Sequence, residues 1–309
     1  TLDSIPVYFF KNHKQELFSP SWFGLSGIVK KINKIKPDIV HLNWICGGMM
    51  TIEEIAKIDA PIVWSLHDMW AFTSGSHYCI KYKSYHKNTT SKKTQRESIL
   101  SRRIFKRKQK AYARKKDITI VGLSKWINEC SKSSELLHSK NHVNIPNLIN
   151  TNIFKPFNKN QARELWALPK NKKLILFGAM SATSDLRKGF KQLIDAIRNL
   201  KSSEIEFIVF GSSKPKNKLD IGYRIHYLGN LHDDVSLITL LSAADVVVVP
   251  SLQENLSNVI MESLACGTPV AAFDIGGNSD MINHKENGYL AKPLDSNDLA
   301  SGIDWIINE

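Results

Sequence analysis

Short runs rich in apolar residues recur along the chain. Asp38 to Asn43, Pro61 to Leu66, Ile118 to Gly122, "VNIPN" (143–147), "LILFGA" (174–179), "EFIVFGS" (206–212), "IHYLG" (225–229), Ala244 to Pro250 and Val270 to Phe273 read as strands. Ala244 to Pro250, rich in valine and without polar alternation, suits a parallel strand buried on both faces. Between them, Leu25 to Lys36, Thr51 to Lys57, Glu97 to Lys116, Lys125 to Ser131, Phe190 to Leu200 and Val235 to Ser242 read as helices. Strands that alternate with helices predict an α/β chain with parallel sheets. "LINTNIFKPFNKNQAR" (148–163) is polar and reads as a linker, which divides the chain into domains 1–155 and 156–309.

One stretch carries a chemical signal. "VVVVPSLQENLSNVIMESLACGTPVAAF" runs from Val246 to Phe273 as strand, polar turn, helix and strand. Ser257 or Asn258 is placed to cap the helix through its side-chain oxygen. Val259, Ile260, Leu264 and Ala265 give the helix a core-facing stripe, and Gly267 and Pro269 stop it. Free N–H groups at such a helix start favour an anion such as phosphate. Glu254 lies in the turn, and Glu262 follows it by a little over two helical turns. A carboxylate there could accept both hydroxyls of a ribose, as in dinucleotide folds. The alternative is a solvated loop residue at 254 and an exposed helix residue at 262.

A second signal lies in "FGAMSATSDLRKGF", where a strand ends at Gly178 and Arg187 and Lys188 precede a helix. Both are the kind of cation that neutralises a pyrophosphate, Arg through two donors and Lys as a point charge. A solvated basic turn is the bland reading. His67 and Asp68 close a strand at the end where ligands of open α/β sheets sit. Gly276 and Gly277 form a flexible loop or a simple turn. His77, Cys79 and His86 lack the paired spacing of structural zinc sites, and no metal site is expected.

Composition and charge narrow the classes. The 309 residues, 42% of them hydrophobic, suffice for two α/β domains with real cores. No apolar stretch approaches the ~20 residues that span a bilayer. No signal peptide is read, in a chain that starts at Thr1 without a methionine. Cys46, Cys79, Cys130 and Cys266 show no paired spacing and read as reduced thiols of a cytoplasmic protein. The net charge of +13 is uneven. Residues 1–155 hold 26 Lys+Arg and 11 Asp+Glu (+15), whereas residues 156–309 hold 16 and 18 (−2). Fifteen cations lie between Lys81 and Lys116 against the single acid Glu97. Such a field attracts nucleic acid, anionic lipid or phosphorylated substrates. The helix within it, "SILSRRIFKRKQKAYARKK", has a partial apolar stripe of Leu100, Ile104, Phe105, Ala111 and Tyr112 with cations elsewhere. It fits packing on the first sheet, and also attraction to an anionic membrane at 81–116. Nucleic acid is disfavoured, because no aromatic-interleaved RNA motif or recognition-helix pattern is present.

"ENLSNVIMESLACGTPV" resembles the E-x7-E signature of the retaining GT-B glycosyltransferases of family 4. "SLHDMWAFTSGSHY", "VGLSKW", "IPNLIN", "LFGAMSATSDLRKGF", "YLGNLHDD" and "FDIGGNSDMINHKENGYLAKP" agree with that family in order, from about Pro37 to Leu294. The similarity is greatest to bacterial polysaccharide-assembly transferases of the colanic-acid type. It implies a GT-B fold, two Rossmann-like parallel-sheet domains facing a cleft. The first domain would hold a glycan or lipid-linked acceptor, and the second a nucleoside-diphosphate sugar. It implies transfer with retention, with His67, Lys188 and Glu254 as the catalytic set. Gly178, Arg187, Lys188, Leu228, Asn230, Leu231, Glu254, Asn255, Leu256, Ser257, Asn258 and Glu262 would bind the donor, and Asp68 would lie on the acceptor side or orient His67. The family implies no metal cofactor, a cytoplasmic enzyme, and a place at the inner face of the membrane. The chain departs from the pattern at Ala179, where many relatives carry an arginine, with Arg187 as its substitute. Rival readings are a GT-B sugar-nucleotide epimerase, a non-catalytic GT-B subunit and a basic nucleic-acid-binding module. The glycine-rich strand–loop with which relatives begin is not found, which also leaves open a fragment.

Overall fold

Strands that are apolar at every position need cover on both faces, and crossover helices supply it. The computed structural model describes residues 2–5, 7, 17–24, 27–78, 99–178, 185–200, 204–211 and 221–309. They fall into two units, Thr1–Pro146 and Asn147–Glu309.

The first unit is a four-stranded parallel sheet in the order β1-β2-β3-β4. Helix α1 (Ile28–Ile35) leads into β1 (Val40–Leu42), followed by α2 (Ile52–Ile55) and β2 (Ile62–Leu66). Helix α3 (Ile99–Arg114), β3 (Ile118–Gly122), α4 (Lys125–Lys132) and β4 (Asn141–Asn144) complete it. Thr51 and Glu54 form a capping box at α2, and Ser124 caps α4 through the N–H of Ile127. The predicted strand at 143–147 ends early, at Asn144. The side chain of Asn144 and the N–H of Ile145 both bond to the carbonyl of Gly122, and Pro146 has no N–H to continue the ladder.

The second unit opens with α5 (Lys159–Leu165), within the stretch that the sequence offers as a linker. Asn158 caps this helix by accepting from the N–H of Gln161. Arg163 is 4% exposed and carries the reason that the segment is structural. Its guanidinium meets Asp245 Oδ2 at 2.6 Å and also donates to the carbonyls of Ala243, Lys170 and Lys172. The same Asp245 oxygen accepts from the N–H of Leu174. A buried ion pair persists when its remaining donors are also satisfied, as here.

From there the chain runs through β5 (Lys173–Gly178), α6 (Phe190–Ile197), β6 (Ile205–Phe210), β7 (Ile225–Gly229), α7 (Asp234–Ala243) and β8 (Val246–Val249). It finishes with α8 (Asn258–Ala265), β9 (Val270–Phe273), β10 (Gly288–Ala291) and α9 (Ser296–Asn308). The six strands are parallel in the order β10-β9-β8-β5-β6-β7. The chain therefore builds outward from β5 on one side and returns to build from β8 on the other. This is the dinucleotide-fold order, with its switch point between β5 and β8. The sequence predicts no strand after Phe273. Strand β10 escapes it because Gly288 and Tyr289 leave only a short apolar run before Pro293.

Helix α3 departs from the expected face. Lys108 stands four residues from both Ile104 and Tyr112, so it shares their buried side rather than the solvated one. It is fully buried, lies 3.5 Å from the centre of the Trp70 ring, and donates to the carbonyls of Trp70 and Thr73. Tyr112 donates to the carbonyl of Ala71 at 2.9 Å. One helix thus fastens three carbonyls of the loop that follows β2.

Burial pushes the pKa of Lys108 down from 10.5 to about 7, against the opposing pull of Asp68. Between those values the unfolded chain binds more protons than the folded one, so this group makes stability rise with pH. Wild type should therefore gain stability relative to Lys108→Met from pH 7 to pH 10, read as urea midpoints. A constant difference would show that the folded ammonium stays protonated. A second prediction concerns Gly189, with φ of 70°, where an added Cβ would lie 1.7 Å from the carbonyl oxygen of Pro250. Gly189→Ala should lower stability by more than the roughly 1–2 kcal/mol of left-handed backbone strain alone. A midpoint unchanged from wild type would refute that contact.

Candidate functional site

The switch point of the second sheet leaves the carboxyl ends of β5 and β8 side by side. A pocket opens there, lined by Phe177 and Gly178 from β5, Lys188, Val248 and Val249 from β8, Pro250 and Ser251 just after it, Ser257 and Val259. Sequence-predicted residues Gly178, Lys188 and Ser257 thus come together. Asn255, Leu256 and Ser257 are buried, and Asn258 is exposed as the first residue of α8. Ser257 occupies the N-cap, but its side chain makes no capping hydrogen bond, contrary to the sequence expectation. Asn258 lies inside the helix and so cannot be the cap. Hence the side-chain capping seen at α4, α5 and α7 is missing at α8. Its first-turn N–H groups lie beside a pocket that also holds a lysine.

Glu254 and Lys188 form an ion pair of 3.0 Å, and Ser251 Oγ donates to the same carboxylate oxygen at 3.3 Å. The N–H of Leu252 donates to the carbonyl of Arg187, so the turn after β8 is sewn to the segment before α6. The Gly276 loop lies against Glu254: at φ 53° an added Cβ would sit 1.7 Å from the Glu254 carbonyl oxygen. Arg187 is engaged elsewhere. Its guanidinium forms a two-point contact with Asp185, at 2.6 and 3.1 Å. Burial raises the Asp185 carboxyl, but the hydrogen bonds from Arg187 outweigh it and hold the group below its ordinary value. Ala179 lies outside the described residues. Gly178 has a packing reason, since a Cβ there would fall 1.8 Å from the Phe210 ring.

Glu262 is half-buried on α8, and its carboxylate makes no hydrogen bond or ion pair among the described residues. Burial raises its carboxyl, and the Asp234 carboxylate adds to the effect. Leu228 and Leu231 are partly buried against the core of this unit, with Asn230 exposed between them.

The first unit has a pocket at the corresponding ends of β1 and β2. Asn43, Trp44, Ile45, Cys46, Trp64, Ser65, Leu66, His67, Asp68, Trp70 and Ala71 line it. His67 is exposed, and its Nε2 meets Asn43 Oδ1 at 2.9 Å. Burial of part of the ring lowers its pKa, with His41 adding and Asp68 opposing. Asp68 does not bond to His67. One of its oxygens accepts from the N–H of Trp70 at 2.8 Å, and the other meets His77 Nδ1 at 2.6 Å. His77 Nε2 in turn meets Ser19 Oγ at 2.8 Å. This is the order of a Ser-His-Asp relay. However, His77 is fully buried and Ser19 only 8% exposed, which leaves no access to a substrate. The three residues instead lock segment 17–21 to the loop, alongside backbone bonds from Ser19 to Gly75 and from His77 to Leu17. The sequence reading missed Asn43 and this role of His77, because partners 24 and 58 residues apart leave no local signal. Cys79 and His86 lie outside the described residues. Cys46, Cys130 and Cys266 are buried and form no disulfide among the described residues, and burial pushes the Cys46 thiol up to about 12.

Known proteins resemble this arrangement. Residues 171–309 match the family model described as Glycosyl transferases group 1. Over 148 residues the chain is 30% identical to an uncharacterized glycosyltransferase of Methanocaldococcus jannaschii, covering 45% of this chain and 37% of that protein. Over 199 residues it is 28% identical to a D-inositol 3-phosphate glycosyltransferase of Thermobispora bispora, covering 59% and 46%. The matched parts span less than half the length of either relative. Sucrose-phosphate synthase of Thermosynechococcus elongatus superposes with a TM-score of 0.67 at 22% identity, over 92% of this chain and 69% of that one. HepE of Anabaena in complex with UDP gives 0.63 at 19%, over 92% and 73%. The chain thus holds the two Rossmann-like parallel-sheet units expected, and the second matches the glycosyl transferases group 1 model along most of its length.

Proposed function

We propose that the chain is a retaining glycosyltransferase. It moves a sugar from a nucleoside-diphosphate sugar to a glycan or lipid-linked acceptor in surface-polysaccharide synthesis. The observation that carries this reading is the switch-point pocket, where Lys188 and the helix start at Ser257, which lacks a side-chain cap, converge. A diphosphate leaving group develops negative charge, and fixed positive groups around it lower the barrier. In this reading Lys188 and the α8 N–H groups neutralise that charge without a metal. Arg187 contributes only if it exchanges Asp185 for phosphate. The Glu262 carboxylate, half-buried without a partner among the described residues, accepts the ribose hydroxyls. Glu254 holds hydroxyls of the transferred sugar and places the anomeric carbon. The acceptor attacks on the face that the diphosphate leaves, and the departing phosphate takes its proton. His67 meets a sugar at the pocket of the first unit. HepE of Anabaena is known in complex with UDP and with UDP-glucose, which supports a uridine nucleotide as the first to test.

The exposed cations of α3, among them Arg103, Lys106, Lys110 and Arg114, support attraction to the anionic leaflet that would carry a lipid-linked acceptor. No helix of the described residues is long and apolar enough to cross a membrane.

Thermal unfolding with UDP, GDP, ADP and CMP tests the donor site in wild type and Glu262→Ala. A ligand at ~100 times its Kd adds about 2.7 kcal/mol to stability. We expect a shift with one nucleotide, greatly reduced in Glu262→Ala. No shift with any nucleotide would refute the donor reading. An undiminished shift in the variant would refute the ribose role alone. Incubation with the stabilising nucleotide's sugar then separates transfer from epimerisation by the products formed.

A further inference from the structure

Three indoles line the pocket of the first unit, and two of them are consumed by the fold. Trp64 and Trp70 are each 2% exposed. Their Nε1 groups donate to the carbonyls of Asn43 and Ser19 at 3.0 and 2.8 Å. Trp44 differs. It leaves β1 two residues past Leu42, and 45% of it is exposed. Its Nε1 lies 3.4 Å from His77 Nδ1, but that nitrogen is already committed to Asp68 at 2.6 Å. One nitrogen cannot donate to a carboxylate and accept a second bond, so the indole N–H makes a contact there rather than a strong hydrogen bond.

The ring is nevertheless fixed. The chain turns under it through Gly47 and Gly48, with φ of 69° and 90°. A Cβ on Gly47 would lie 3.1 and 3.3 Å from two carbons of the Trp44 six-membered ring. The Gly47 backbone therefore backs the indole on one side, and only glycine lets it come so near. Trp64 holds the carbonyl of Asn43, the residue before Trp44, and His77 packs 5.9 Å from the indole centre. Asn43 and His67, bonded to each other at 2.9 Å, line the same pocket.

An exposed aromatic surface held in place beside an amide and an imidazole matches a particular ligand. A pyranose has a face of axial C–H groups and a rim of hydroxyls. The apolar face suits an indole, and the rim suits polar side chains placed around it. Because the ring is already immobilised, little side-chain entropy is lost on binding. We infer that Trp44 is a stacking platform for a pyranose ring of the acceptor, with Asn43 and His67 as partners for its hydroxyls. This rests on the proposed transferase reading, because it takes the sugar that docks here for the acceptor.

Saturation-transfer NMR with methyl α- and β-D-glucopyranoside, methyl β-D-galactopyranoside, methyl β-D-N-acetylglucosaminide and cellotriose tests it, on wild type, Trp44→Phe and Trp44→Ala. UDP-induced thermal shifts on the same samples report the second unit separately. We expect transfer to at least one saccharide, strongest to the C–H protons of one ring face. Affinity should fall about tenfold or more in Trp44→Ala, and less in Trp44→Phe, which keeps an aromatic face. The UDP response should be the same in all three proteins. Transfer that is equal in wild type and Trp44→Ala, or absent from wild type with every saccharide, overturns the inference. Loss of the UDP response in wild type would instead strike the donor reading, whatever the saccharides show.

Discussion

The second unit depends on one adjacency. Strands β5 and β8 are neighbours in space although β6 and β7 lie between them in sequence. The chain leaves the end of β5 toward one side of the sheet and the end of β8 toward the other. No crossover covers the gap, and the carboxyl ends of both strands open into it. What lines this gap follows from what each strand must be followed by: a turn that reaches α6 through Lys188 and Gly189, and a turn that reaches α8 through Glu254 and Ser257. The opposite ends of the same two strands are fixed by Arg163 and Asp245. One end of the pair is thus pinned by a buried ion pair, while the other is open to a ligand.

The first unit solves a different problem. The loop after β2 must leave the sheet, return toward segment 17–21 and keep His67 at the surface. Helix α3 fixes it from the inside through Lys108 and Tyr112, and the Asp68–His77–Ser19 relay fixes it along its length. Asp68, His77, Ser19, Lys108 and Tyr112 find their partners within the protein here, which makes the loop a defined object despite its lack of regular structure. The basic stretch is thereby divided in two. Among its described cations, Lys108 and Lys115 are buried and Arg107 is spent on Glu53 and the carbonyls of Pro20 and Ser21, whereas Arg103, Lys106, Lys110 and Arg114 face outward.

Much of the fold was legible because apolar-rich parallel strands and their helices leave local signatures. Eight of the ten strands coincide with runs that can be read by eye; β4 is shifted and β10 was not seen. The helix start at Ser257 was legible as a position, but the chemistry of its cap was not, since a serine in sequence does not show where its hydroxyl points. Arg163 hid an entire helix, because its partners lie 80 and 82 residues away and a polar segment without them looks like a linker. Lys108 was hidden by its own neighbours: among so many cations, its burial is marked only by its four-residue spacing from Ile104 and Tyr112. The Glu254–Lys188 pair joins two separately quoted motifs across 66 residues, and no local pattern announces it.

That pair has a consequence for how the chain can vary. Each member holds the other in place, and each is also sheltered from water on one side. A change at one position alone strands a partly buried charge at the other. The turn after β8 and the segment before α6 are therefore held to each other by charge as well as by the Leu252–Arg187 backbone bond.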